Sequence, residues 1–139
     1  MNVTIIFRSA QTVDDERTET VFTTTGMLEF VPDGARLCYQ EPPQEDAPGA
    51  TVTITVSGTK AVIERCGEIH SRMILEQGKR HACRYDTPYG QIRLYALAND
   101  ICFDFKGNAG WLKSRYTLDM NGALTAQEIE IQMREVVPC

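Results

Sequence analysis

The stretch Glu76-Gln77-Gly78-Lys79-Arg80-His81-Ala82-Cys83-Arg84-Tyr85-Asp86-Thr87-Pro88-Tyr89-Gly90 sets one strand between two turn signals. Its register decides the fold. A two-residue loop at Gln77-Gly78 would pair Ile74 with His81 and Arg72 with Cys83, and would put Met73 and Leu75 on the face of Arg80 and Arg84. A three-residue loop at 76–78, with Gly78 in the left-handed region, pairs Leu75 with Lys79 and Met73 with His81. That register separates apolar from cationic side chains, so pattern and turn chemistry favour it. At the second turn, Pro88 and Gly90 suit the second and fourth positions of a type I turn, which pairs Tyr85 with Ile92, Cys83 with Leu94 and Arg84 with Arg93. One face then holds Ile69, Ser71, Met73, Leu75, His81, Cys83, Tyr85, Ile92, Leu94 and Ala96. The other holds His70, Arg72, Arg80, Arg84, Arg93 and Tyr95, with Ile74 and Ala82 between them.

Outward from this stretch, strands recur at intervals of about 8 to 12 residues, the spacing of an all-β barrel or sandwich. Residues 3–8, 18–31, 35–40, 51–57, 60–66 and 69–75 precede it; 91–97, 101–106, 111–119 and 125–136 follow. Turns are expected at Pro32-Asp33-Gly34, Gly58-Thr59, Gly67-Glu68, Asn99-Asp100, Gly107-Asn108 and Asn121-Gly122. Gly26 interrupts the second strand as a bulge or bend would. The segment 41–49, with Pro42, Pro43, Pro48 and three acids, reads as a mobile loop inside one domain spanning 1–139.

The chain has 139 residues, enough for one domain with its own core, and a net charge of −5. That balance argues against nucleic acid or an anionic membrane as the main partner, since both need clustered positive charge. No run approaches the ~18 apolar residues of a membrane span, and the N-terminus lacks the basic region of a signal peptide. A cytoplasmic location is the resulting expectation. The five cysteines, Cys38, Cys66, Cys83, Cys102 and Cys139, are odd in number and scattered. They read as small, mostly buried hydrophobes rather than a disulfide framework or a metal site, with terminal Cys139 the most exposed. No metal and no cofactor are expected.

Chemistry in this sequence has few candidates. Arg72, Arg84 and Arg93 share a face with His70 and Tyr95 as neighbours. Such a face is either a solvated surface neutralised by acids such as Glu64 or Asp104, or a set of planar guanidinium forks for a carboxylate or phosphate. The solvated surface is the more ordinary of the two, and Arg84 directly opposite Arg93 keeps the second reading open, because like charges across a ladder repel unless an anion sits between them. His81 and Cys83 stand at i and i+2 on the apolar face with no acid expected beside them, which makes a nucleophilic site a poor reading. No catalytic residue is assigned. Trp111 reads as a core or barrel-base plug.

The motifs Arg65-Cys66-Gly67, Met73, Glu76-Gln77-Gly78-Lys79, Tyr85, Thr87-Pro88-Tyr89-Gly90 and Tyr116-Thr117-Leu118 resemble the YwiB-like family of small bacterial proteins of unknown function. The resemblance runs along nearly the whole chain. Near the C-terminus Thr125-Ala126-Gln127 stands where the family often shows an Asn. What the resemblance implies is a calycin-like barrel of the lipocalin kind: antiparallel, closed or nearly closed, with about eight to ten strands. Barrels of that size can hold one small ligand, and no reaction is implied. The expectation is a non-enzymatic binder of a small, anionic molecule through Arg72, Arg84 and Arg93; the alternative is a protein–protein interaction module or homodimer without such a ligand.

Overall fold

In the computed structural model, which describes residues 1–42 and 49–136, the chain forms ten antiparallel strands and a closed barrel. They are β1 (Asn2–Val13), β2 (Glu16–Val31), β3 (Gly34–Gln40), β4 (Thr51–Ser57), β5 (Lys60–Cys66), β6 (His70–Glu76), β7 (Arg80–Thr87), β8 (Gly90–Lys106), β9 (Ala109–Met120) and β10 (Ala123–Glu135). Each strand pairs with its neighbours in sequence, and β1 pairs with β10 from Val3↔Glu135 to Thr12↔Ala126 to complete the ring. Closure leaves the sheet without a lateral edge. The segment 43–48 of the acidic, proline-bearing loop and Cys139 lie outside the described residues.

A meander of this kind has two ends. The turns after β1, β5, β7 and β9 and the connection after β3 lie at one end, here called the mouth. The turns after β2, β4, β6 and β8 lie at the other, with the N-terminus. Period-2 alternation sends Val3 and Ile5, Leu37 and Tyr39, Val52, Ile54 and Val56, and Ile129, Ile131 and Met133 inward, where all are buried. The end away from the mouth is packed solid. Among the described residues Leu28, Ala35, Val56, Leu112 and Met133 close on a void of about 10 Å³, about the least volume that holds a water molecule. Gly26 helps to close this wall: a Cβ there would stand 2.5 Å from the Cys38 carbonyl oxygen and 2.9 Å from both Ile5 and Tyr39 side chains. It marks a close approach where β2 passes between β1 and β3 in continuous register, rather than a bulge.

The hairpin register is confirmed on one side and corrected on the other. Tyr85↔Ile92, Cys83↔Leu94 and Arg84↔Arg93 pair as expected. Thr87 Oγ1 donates to the Gly90 carbonyl at 2.8 Å and accepts from the Tyr89 amide at 3.1 Å, which fastens that turn. At the first turn, the Lys79 amide donates to the Glu76 carbonyl at 3.0 Å around Gln77-Gly78, so the loop is the two-residue one. Gly78 takes φ +74°, as expected. The ladder then slips by one residue and reaches Ser71↔Tyr85 and Arg72↔Arg84. This differs by two positions from the Met73–His81 register, and a shift of two preserves the faces. Met73 therefore points inward while Arg84 is exposed, as the alternation requires.

Three further expectations are corrected. Asn99-Asp100 is a bulge within one continuous strand, not a turn: the β8–β9 register shifts between Ala98 and Asp100, and Ser114 Oγ donates to the Asp100 carbonyl at 2.8 Å to hold the kink. Trp111 is on the outer face, 37% exposed, with the Lys113 ammonium 5.8 Å from its ring centre. Among the cysteines, Cys83 is buried and Cys38 half-buried, but Cys66 and Cys102 are exposed.

Candidate functional site

At the mouth the barrel is not filled. A cavity of about 330 Å³ opens between the inward faces of β1, β3, β4, β5, β6, β7, β8, β9 and β10. That volume lies within the range of small-molecule sites, ~300–1,000 Å³. The apolar part of its wall comes from Phe7, Val52, Ile54, Ile63, Met73, Leu94, Leu118 and Ile129. Phe7 stacks on Phe22 at 4.6 Å between ring centres, and Phe22 leans on Tyr39 at 6.3 Å, so this side is braced by aromatic contact.

The polar part is concentrated nearer the mouth: Arg65, Glu41, Ser71, Tyr39, Tyr85, Tyr116, Ser9 and Gln127. Arg65 is there because β5 alternates. Ala61 and Ile63 point inward, and the next position of the same phase is Arg65, held by Val52↔Arg65 and Arg65↔Ser71. Its guanidinium is bonded to the carboxylate of Glu41, the residue that follows the last paired position of β3, Gln40↔Thr51. Among the described residues no fully buried side-chain oxygen or nitrogen lacks a partner. The Tyr39 and Tyr116 hydroxyls have no protein partner there, so they open onto the cavity.

Burial governs the ionisation of this wall. It raises the Tyr39 phenol well above its usual value, with Glu41 adding to the effect and Arg65 opposing it. It pushes Tyr116 up to about 12, with Cys83 adding and Arg65 opposing. Burial also raises the Cys83 thiol, partly offset by a hydrogen bond from the Ile74 backbone. Both phenols and the thiol are thus neutral at ordinary pH and serve as hydrogen-bonding groups rather than nucleophiles. His81, expected without an acid nearby, has one: Nε2 lies 2.9 Å from Glu76 Oε1, which reaches it from the tight turn rather than from the same face. That contact, and Lys79 after it, hold the Glu76 carboxyl below its usual value.

The arginine face lies on the outside of the barrel. Arg72, Arg84 and Arg93 form one row across β6, β7 and β8 by direct register, and all three are exposed. Glu64 continues the row opposite Arg72, without an ion pair among the described residues, and Asp104 belongs to another row, opposite Trp111. Arg84 is instead bonded to Asp86 at 3.1 Å, and Asp86 also accepts from Gln91 at 2.9 Å. His70 stands beside Asp86 one row nearer the mouth. Tyr95 stands one row further down, under the Arg80 guanidinium at 4.1 Å, and Arg80 reaches Asp119 at 3.0 Å. Arg72 and Arg84 border the mouth cavity at the β6–β7 seam, while Arg93, His70 and Tyr95 do not. Two hollows of greater volume, about 690 and 560 Å³, are concavities on the outer β8–β9–β10–β1–β2 face. The first is crossed by the bonded pairs Arg17–Glu128 and Arg115–Asp100, and Arg115 holds the Asp100 carboxyl below its usual value.

The inward polar set was legible only in part. Ser71 and Tyr85 fall on the apolar face of the sequence reading, but Arg65, Glu41, Tyr39 and Tyr116 were not drawn together. The signal for Arg65 was its phase with Ala61 and Ile63. Glu41 carried none, because its position depends on where the chain leaves β3.

Among the described residues no group of three or more His, Cys, Asp or Glu side chains could hold a metal ion, and no helix is long and apolar enough to cross a membrane. No curated protein matches the chain. The fold is similar to that of the ywiB protein from Bacillus subtilis, seen in its crystal structure, with a TM-score of 0.87 at 17% sequence identity over 98% of this chain and 92% of that one. At that identity the likeness concerns the fold. The family model described as Domain of unknown function (DUF1934) matches residues 5–133, and with that match spanning the barrel the chain belongs to the DUF1934 family.

Proposed function

We propose that this barrel is a non-catalytic binder that holds one small molecule in its mouth cavity. The observation that carries the reading is the contrast between the two ends. One closes on a void of about 10 Å³, while the other keeps about 330 Å³ between apolar walls and phenol hydroxyls that have no protein partner among the described residues. Protein interiors fill to crystal-like density by default, so a hollow lined in this way is a feature that a ligand would complete. Binding rather than catalysis fits the Cys83 thiol, which burial keeps protonated. Native mass spectrometry on protein purified without refolding tests it. A stoichiometric small mass released by mild activation is expected. Bare protein, together with no melting shift from any compound in a broad metabolite screen, would remove the reading.

A second reading keeps one observation in its favour: Arg72, Arg84 and Arg93 stand in direct register on three adjacent strands, and only Arg84 has an ion pair among the described residues. An anion lying across that row would relieve the repulsion. Arg84→Ala with Arg93→Ala should then abolish protection by anionic compounds in a melting screen; unchanged shifts would eliminate it.

A further inference from the structure

Of the three arginines that border the mouth cavity, Arg65 is the one in phase with the inward residues of its strand, and its partner Glu41 lies beyond the end of a ladder. Arg65 sits inside two ladders, opposite Val52 on β4 and Ser71 on β6. Glu41 lies beyond the β3 ladder, tied by its amide to the Ala50 carbonyl at 2.8 Å, and its side chain reaches Arg65 from the rim. The contact uses one guanidinium nitrogen and one carboxylate oxygen. A guanidinium carries five donors in a planar fork that matches a carboxylate two bonds at a time. Glu41 therefore leaves most of that capacity unused among the described residues.

On the reading that the cavity is a ligand site, we infer that its ligand is a carboxylate with an apolar body, whose head group displaces Glu41 from Arg65. Three features of the site converge on this chemistry. The guanidinium is held within two ladders, so an incoming cation would meet a like charge, whereas an incoming carboxylate takes the place of Glu41 on it and the Glu41 carboxylate turns to solvent at the rim. The Tyr39 hydroxyl, open to the cavity, supplies a further donor close to both members of the pair. Below the head group the wall is Phe7, Val52, Ile54, Ile63 and Met73, which suits an alkyl or aryl body and offers nothing to a second charge. Glu41 acts as an internal stand-in: it keeps Arg65 paired in the free protein and competes with the ligand for it. Exchanging a partly exposed pair is cheap, because such pairs contribute little.

The test uses matched probes on the full chain, octanoate, octanol and octylamine, by titration calorimetry. Octanoate should bind at least ~10-fold tighter than octanol, the advantage expected of a charge-assisted pair. Arg65→Gln should erase that preference while leaving octanol binding in place, and Arg65→Lys should keep part of it. Glu41→Gln should tighten octanoate by roughly 2- to 5-fold, since it removes the competitor, and leave octanol unaffected. Circular dichroism on each variant confirms that the barrel is intact. Equal binding of octanoate and octanol, weaker octanoate binding in Glu41→Gln, or a preference for octylamine would overturn the carboxylate inference and leave the cavity reading standing. Binding of none of the three probes would also overturn the carboxylate inference, and the cavity reading then stands or falls on native mass spectrometry and the metabolite screen.

Discussion

Arg65 and Glu41 meet at the mouth of the barrel, one from inside the β4–β5–β6 ladders and the other from just past the end of β3. Their side chains are 43% and 20% exposed, so the pair is partly solvated. Pairs of that kind contribute ~0.2–1 kcal/mol. Glu41→Gln and Arg65→Gln should each therefore lower unfolding stability by about 1 kcal/mol or less in urea, with the same denaturant slope as the parent. A loss above ~3 kcal/mol is the mark of a buried pair broken on one side, and would make this contact a structural brace rather than an exchangeable one.

Tyr39 and Tyr116 make the barrel sensitive to alkali. Both phenols are raised above their ordinary value of 10.0 by burial, Tyr116 to about 12. The folded form thus keeps a proton that the unfolded form loses. Stability is fully present below about pH 10 and declines as pH rises through the unfolded value toward about 12, because the unfolded state binds fewer protons throughout that window. Two of the five tyrosines should ionise only as the barrel opens, seen as tyrosinate absorbance that tracks the loss of circular dichroism. Tyr39→Phe and Tyr116→Phe should each remove part of that late amplitude. Complete tyrosine ionisation in a barrel that remains folded would contradict the burial described here.

The two ends of the barrel should respond differently to truncation. Leu112 is 1% exposed within the packed end, and Leu112→Ala should cost about 2–5 kcal/mol through lost burial and a new void. Met73 is half-buried against the mouth cavity. Met73→Ala enlarges a space that already exists and should cost about 1 kcal/mol, because fewer packing contacts are lost. Guanidinium unfolding of both variants gives the comparison, and an equal or reversed ranking would mean that the mouth is packed as tightly as the base.

Much of this architecture was legible because alternation is a two-state signal. Once Pro88 and Gly90 set the second hairpin, the inward phase of Cys83, Tyr85 and Leu94 followed, and the outward phase of Arg84 and Arg93 with it. The first hairpin shows the limit. The turn there has two residues and the ladder below it slips by one, so the register ends two positions away from that of a three-residue loop, and a shift of two leaves no mark in the residue pattern. Asn99-Asp100 has the chemistry of a turn, yet long-range pairing with Arg115 and Ser114 keeps the strand running through it as a bulge. The outer arginines drew notice because their repulsion is visible in one dimension. Asp86 answers Arg84 from two residues along the same strand, a pairing equally visible in one dimension. The mouth cavity could not be read at all, since it depends on how ten strands share a circumference and on where Glu41 falls after β3.

The claim that the mouth is a hollow made for a small molecule is tested most directly by filling it. Ser71 points into the cavity beside Arg65, and Phe at that position suits a strand. Octanoate should lose at least ~10-fold in affinity in Ser71→Phe, a fold-loss equal to about 1.4 kcal/mol, while the melting temperature stays close to that of the parent. Octanoate binding to Ser71→Phe with the affinity of the parent would place the ligand somewhere other than the barrel mouth.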